Sequence, residues 1–165
     1  MIYDIKIYGD EVLRKKSEKV EVIDDSLRKL LDDMIETMLE APGVGLAAPQ
    51  IGINKMFFVF GTEKNNIRKV INPEIVKSSE EIIDFEEGCL SIPGIYKSVR
   101  RPEKIKVKYQ NENGEFIQEE LDGYFARIFQ HEYDHLIGEL FVDKIGPVAK
   151  KLVANKLKKL KKIKK

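Results

Sequence analysis

One segment constrains this chain more than any other. Between Asp122 and Gly138, Phe125, Ile128, Phe129, Glu132 and Leu136 mark one stripe at helical spacing, while Tyr124, Ile128, His131 and His135 mark its neighbour. A surface helix needs only one apolar face, so a helix apolar over this much of its circumference has to be surrounded. Gly138 suits its C-terminal cap. The rest of the chain must supply the surroundings.

The flanking pattern is of two kinds. Asp24 and Asp25 are good N-caps, and Leu27, Leu30, Leu31, Met34 and Met38 follow at helical spacing, which predicts an amphipathic helix stopping before Pro42 and Gly43. A small-residue loop, APGVGLAAPQ, comes next. Short strands are then predicted at 56–60, over KVINPEI, at 82–85, and along the alternation Ile105, Val107, Tyr109, with Asn113-Gly114 as a hairpin turn. The last helix, from about Pro147, sets Ala149, Leu152, Val153, Leu157, Leu160 and Ile163 on one side and Lys on the other. Strands without βαβ alternation argue for an α+β fold, with short antiparallel sheets around the central helix, an N-terminal amphipathic helix and a C-terminal basic helix. At 165 residues this is one domain's worth of chain, residues 1–149, with 150–165 as a Lys-rich helical extension.

Composition narrows the compartment and the partners. No apolar run approaches the roughly 18 residues of a membrane span, and charged residues from position 4 onward leave no signal-peptide centre. The single cysteine, Cys89, excludes an intramolecular disulfide and fits a reducing compartment with no disulfide-linked partner. The cytoplasm is the expected location. Residues 150–165 carry nine Lys and no acid, so the whole chain's net +1 leaves residues 1–149 at −8. A basic tail on an acidic body points to an anionic partner, against the plainer reading of a solvated helix end.

Chemistry is concentrated in His131-Glu132-Tyr133-Asp134-His135, which contains both histidines of the chain. Residues i and i+4 share a helix face, so the two imidazoles can chelate one metal ion while Glu132 projects roughly 100° around the helix, beside it. A catalytic site wants a third protein ligand and an open position. Position 141 is Phe, which fails the metzincin pattern, and no glutamate follows Glu139. Cys89, in Glu-Glu-Gly-Cys-Leu-Ser, is the remaining soft donor, and Gly88 and Ser91 place it in a turn.

Three motifs, Gly43-Val44-Gly45-Leu46-Ala47-Ala48-Pro49-Gln50, Glu87-Gly88-Cys89-Leu90-Ser91 and Gln130-His131-Glu132-Tyr133-Asp134-His135, stand in an order and spacing that resembles the peptide deformylases over essentially the full length. The resemblance implies metal ligands Cys89, His131 and His135, an acid–base residue Glu132, and an oxyanion hole shared by Gln50 and the backbone N–H of Leu90. It also implies Val44, Gly45, Tyr124 and Ile128 as the slot for the methionine side chain, although Arg127 occupies a place where an apolar residue is common. The metal expected by resemblance is Fe(II), with zinc, nickel or cobalt able to take its place. The expected reaction is hydrolysis of the formyl group from N-terminal formyl-methionine of new polypeptides, and the basic tail resembles a ribosome-docking helix. Glu87 and Asp134 are expected beside the ligand histidines or an Arg. Two rivals are another metallohydrolase of the His-Glu-x-x-His kind, such as a peptidase, and a ribosome or nucleic-acid binding module with a structural metal. The second lacks a fourth protein ligand to close its site.

Overall fold

Asp24 opens helix α1 (Asp25–Glu40) by accepting the Leu27 N–H at 3.0 Å, and the helix closes where Ala41 donates to Thr37 before Pro42. The structure, a computed structural model, describes residues 1–163. The chain continues through β1 (Gly45–Ala47), β2 (Phe57–Phe60), β3 (Arg68–Ser78), β4 (Ile82–Cys89), β5 (Ile92–Pro102), β6 (Lys104–Gln110) and β7 (Phe116–Asp122), then α2 (Gly123–Leu136) and α3 (Pro147–Ile163). All strand pairings are antiparallel: a five-stranded sheet in the order β1-β2-β3-β6-β7, and a separate β4-β5 ribbon. The α+β expectation holds.

The apolar run at 57–60 has no polar face because β2 is covered on both sides. Successive side chains of a strand point to opposite faces. Phe57 and Val59 pack among Leu27, Leu31, Met34 and Met38 of α1, while Phe58 and Phe60 pack among Ala126 and Phe129 of α2. Phe58 meets Phe129 edge-on at 5.1 Å between ring centroids. The neighbouring side of α2 is tied to the ribbon by Arg127, which donates to the Val99 carbonyl at 2.8 Å, and by Gln130, which donates to that of Pro102 at 3.1 Å. The helix therefore lies between the two sheets. Gly138 ends it with φ +80, at a spot where a Cβ would come within 2.5 Å of the Arg14 carbonyl oxygen.

Two expectations need correction. The strand expected at 82–85 runs on to Cys89, which is the last residue of β4 opposite Ile92, after a register shift between Glu87 and Cys89. A shift of this kind re-aims the side chain beyond it. The apolar stripe of α3 is also narrower than its sequence suggests. Val153 and Leu160 are buried, with Ala149 and Leu157 packed beside them against Ile92, Val99 and Phe141, but Leu152 and Ile163 are 68% and 67% exposed. Each stands three residues after a packed position, Ala149 and Leu160, so they belong to the stripe by spacing but lie at its uncovered edge. Lys164 and Lys165 of the basic tail lie outside the described residues. No described helix is long and apolar enough to cross a membrane.

Candidate functional site

His131 and His135 stand one turn apart on α2, with ring centroids 5.2 Å apart, and β4 delivers Cys89 to them from the facing ribbon. Cys89 Sγ is 3.3 Å from His135 Nε2, and the three potential ligand atoms all lie within 4.8 Å of one another. His131 Nδ1 faces Glu87 Oε1 at 2.9 Å; since a carboxylate only accepts, this nitrogen carries the proton and Nε2 is left toward the cluster. Burial disfavours charge on His131, yet hydrogen bonding to Cys89 and Glu87 holds its pKa well above the ordinary value. Burial, reinforced by His131, holds His135 well below its own. A position that favours a proton between a thiol, an imidazole and a carboxylate is one from which a metal ion displaces that proton.

Behind the cluster is a buried charge network. Burial alone would raise the Glu87 pKa, but hydrogen bonds from His131 and Arg101 outweigh it and hold the carboxyl at about 2. Arg101 donates twice to Glu87, at 2.6 and 3.0 Å, and once to Asp134 at 2.8 Å. Glu87 and Asp134 thus take the partners expected of them. Arg127, the residue that departs from an apolar slot, lays its guanidinium on Glu87 (2.6 Å), on the Ile83 and Val99 carbonyls, and over the Phe85 ring, so its charge is spent on the ribbon. Arg101 is missed by sequence reasoning. Its signal is positional: it follows Ile95 and Val99 on the inward register of β5, where a buried Arg implies a buried carboxylate.

Glu132 is 4% exposed, and its Oε1 has no hydrogen-bond partner among the described residues. Burial pushes its carboxyl up to about 7. Strand β1 passes so close that a Cβ on Gly45 would overlap the Glu132 carboxylate, which explains glycine at this position. Gln50 is buried at the end of the same motif: its Oε1 accepts the Ala47 N–H at 2.9 Å, and its Nε2 donates to Ser91 Oγ at 3.1 Å and lies 3.6 Å from Cys89 Sγ. A cavity of about 880 Å³ opens onto these groups, and Val44, Gly45, Leu90, Tyr124 and Ile128 line it. His135 alone of the expected site residues is outside that lining, 1% exposed and behind His131 and Cys89. Tyr124 is half-exposed and leans on Phe85.

The model of the polypeptide deformylase family matches residues 2–151. A peptide deformylase of Fusobacterium nucleatum is 52% identical over 164 residues, covering 98% of this chain and 94% of its own. That of Thermotoga maritima is 49% identical over 156 residues, covering 94% of each. Among solved structures, the peptide deformylase of Thermus thermophilus superposes with a TM-score of 0.94 at 42% identity over 99% of this chain and 100% of that one, and the Thermotoga maritima enzyme with 0.86 at 51% identity over 89% and 99%. With the three motifs brought to one cavity and relatives matching along nearly the whole length, the chain belongs to the peptide deformylase family, metal-dependent hydrolases that remove the N-formyl group from nascent polypeptides.

Proposed function

We propose that in this deformylase Cys89, His131 and His135 hold one divalent metal ion, that Glu132 is the acid–base residue, and that the Gln50 amide and the Leu90 backbone N–H receive the formyl oxygen as charge develops on it. The observation that carries this reading is Glu132, a buried carboxyl with an unpartnered oxygen and a pKa pushed up to about 7 beside three clustered donors. Such a group can take a proton near neutral pH and give it back. The donor set fits a metal, since one thiol and two imidazoles converge with no fourth His or Cys in the chain, as in a catalytic site and unlike a closed structural one. When bound, the ion supplies Lewis acidity and lowers the pKa of water. A thiolate with two imidazoles suits Fe(II), and zinc, nickel or cobalt can occupy the same ligands.

The remaining roles belong to the chain. Val44, Gly45, Tyr124 and Ile128 form the apolar slot for methionine and so fix the formyl group beside Glu132. Glu132 accepts a proton from the attacking water and returns it to the departing amine, releasing formate and a free N-terminus. Gln50 and Leu90 stabilise the oxyanion between those two transfers. Residues 1–149 form the catalytic domain, and 150–165 extend it as a Lys-rich helix that docks on the ribosome, in the cytoplasm where formylated chains emerge. Formate release from a formyl-Met peptide by anaerobically purified protein, measured with metal content, tests the centre. Turnover lost on chelation and restored by Fe(II) is expected; full turnover after complete chelation rules the metal role out.

A further inference from the structure

Ser91 has no part in the roles assigned above, yet it is fully buried between residues that do. Its Oγ accepts from Gln50 Nε2 at 3.1 Å, while the oxygen of the same carboxamide accepts the Ala47 N–H at 2.9 Å. A carboxamide offers one carbonyl oxygen and two N–H groups. With the oxygen taken by Ala47 and one N–H by Ser91, the second N–H points to the metal-ligand side, where Nε2 makes a long hydrogen bond to Cys89 Sγ at 3.6 Å. A flip of the amide would set its N–H groups against the Ala47 N–H, donor against donor. The backbone holds both partners in register. Lys6 donates its N–H to the Gln50 carbonyl at 2.7 Å, and Tyr8, two residues on, donates to the Ser91 carbonyl at 2.8 Å. One extended segment thus clips together the loop carrying Gln50 and the turn carrying Ser91.

We propose that Ser91 is a positioning residue for deformylation, acting through Gln50 by fixing which way its amide points, so that a single N–H is pre-aimed at the formyl oxygen. This rests on Gln50 being an oxyanion donor. Donors of that kind accelerate a reaction because they need no reorganisation when charge appears. Without Ser91 Oγ the amide is held by the Ala47 N–H alone and can swing about that one contact, and re-aiming its N–H becomes part of each turnover. The cost falls on the chemical step and leaves peptide binding alone.

The test is a double-mutant cycle on the metal-loaded full chain with a formyl-Met peptide: wild type, Ser91→Ala, Gln50→Ala and the double variant, with Ser91→Thr alongside. Ser91→Ala is expected to lower kcat roughly tenfold, short of the loss from deleting the donor itself, with KM and metal stoichiometry unchanged. Ser91→Thr, which keeps the oxygen, regains most of that loss. In the Gln50→Ala background Ser91→Ala costs nothing further. Additive losses overturn the proposal, because a merely structural serine costs the same in both backgrounds. Loss of metal or early melting of Ser91→Ala overturns it too, by assigning Ser91 to the architecture. If Gln50→Ala is itself fully active, the oxyanion reading of Gln50 fails and takes the proposal with it. If Gln50→Ala is impaired and Ser91→Ala is not, only the role of Ser91 fails.

Discussion

Glu87 and His131, 44 residues apart in sequence, are joined by a 2.9 Å hydrogen bond from Nδ1 to Oε1 that sets which imidazole nitrogen faces Cys89. Two arginines, Arg101 and Arg127, hold the same carboxylate, so the acceptor is fixed before the ring reaches it. Groups that orient a ligand histidine commonly govern metal affinity by 10- to 100-fold, roughly.

Glu87→Gln is therefore expected to weaken metal binding about 10- to 100-fold. Because it also removes the carboxylate partner of buried Arg127 and one of the two held by Arg101, it should cost stability on the order of 3 kcal/mol. Competition against a chelator and urea denaturation measure the two effects. Wild-type affinity in this variant would mean that packing alone orients His131.

Cys89→Ser should lose metal more completely, since a serine hydroxyl stays protonated at neutral pH where a thiol can ionise. Metal content after dialysis is the measurement. Retention of a full equivalent at unchanged affinity would remove Cys89 from the ligand set.

Gly45→Ala places a methyl against the Glu132 carboxylate. Turnover is expected to fall by roughly 100-fold, as displacement of a reacting group by about 1 Å costs that much, while the metal stays bound. A kcat near wild type would show that β1 can yield without moving Glu132.

Glu132→Gln should abolish turnover and stabilise the metal-free protein. The sign follows from the pKa, raised from 4.5 to about 7 by burial. The folded state binds the Glu132 proton more tightly than the unfolded chain, so stability is lost as pH rises from about 4.5 through about 7 and stays lost above. A glutamine has no such loss, so the variant should pull ahead across that window, by on the order of 3 kcal/mol at most. Denaturation midpoints from pH 4.5 to 8 check this, and parallel curves for the two proteins would contradict it.

A test of the proposed ribosome docking by α3 has to separate charge from packing, because Leu157 and Leu160 seat the helix on the body. Deleting residues 155–165 should cost about 2 kcal/mol for the buried Leu160 alone, whatever the tail binds. Replacing exposed Lys151, Lys158, Lys159 and Lys162 with Gln spares that face. Co-sedimentation with ribosomes should then drop at low salt, and wild-type binding should fall steeply as salt rises. Binding unchanged by the four substitutions would leave the helix as a structural and solubilising element.

Much of this protein is legible locally. The caps and periodicity of α1 and α2, the alternation of β6 and the i, i+4 histidines are written in neighbouring residues, because helix and strand geometry act over a few positions. The three motifs likewise mark Gln50, Cys89, His131, Glu132 and His135 without a structure, and all five meet around one centre. Other features exist only once distant segments meet. Gly45 is required by a carboxylate 87 residues away, Arg101 finds Glu87 and Asp134 across the ribbon, and Ser91 finds Gln50. Spacing also could not say which apolar residues of α3 are covered: Leu160 is buried and Leu152 is not, a choice made by where β5 and the Phe141 turn lie. Local patterns fix the direction in which a side chain leaves the backbone. What waits for it there, a partner charge, a packing surface or solvent, is set by long-range contacts, and on those depend the pKa of Glu132 and the aim of the Gln50 amide.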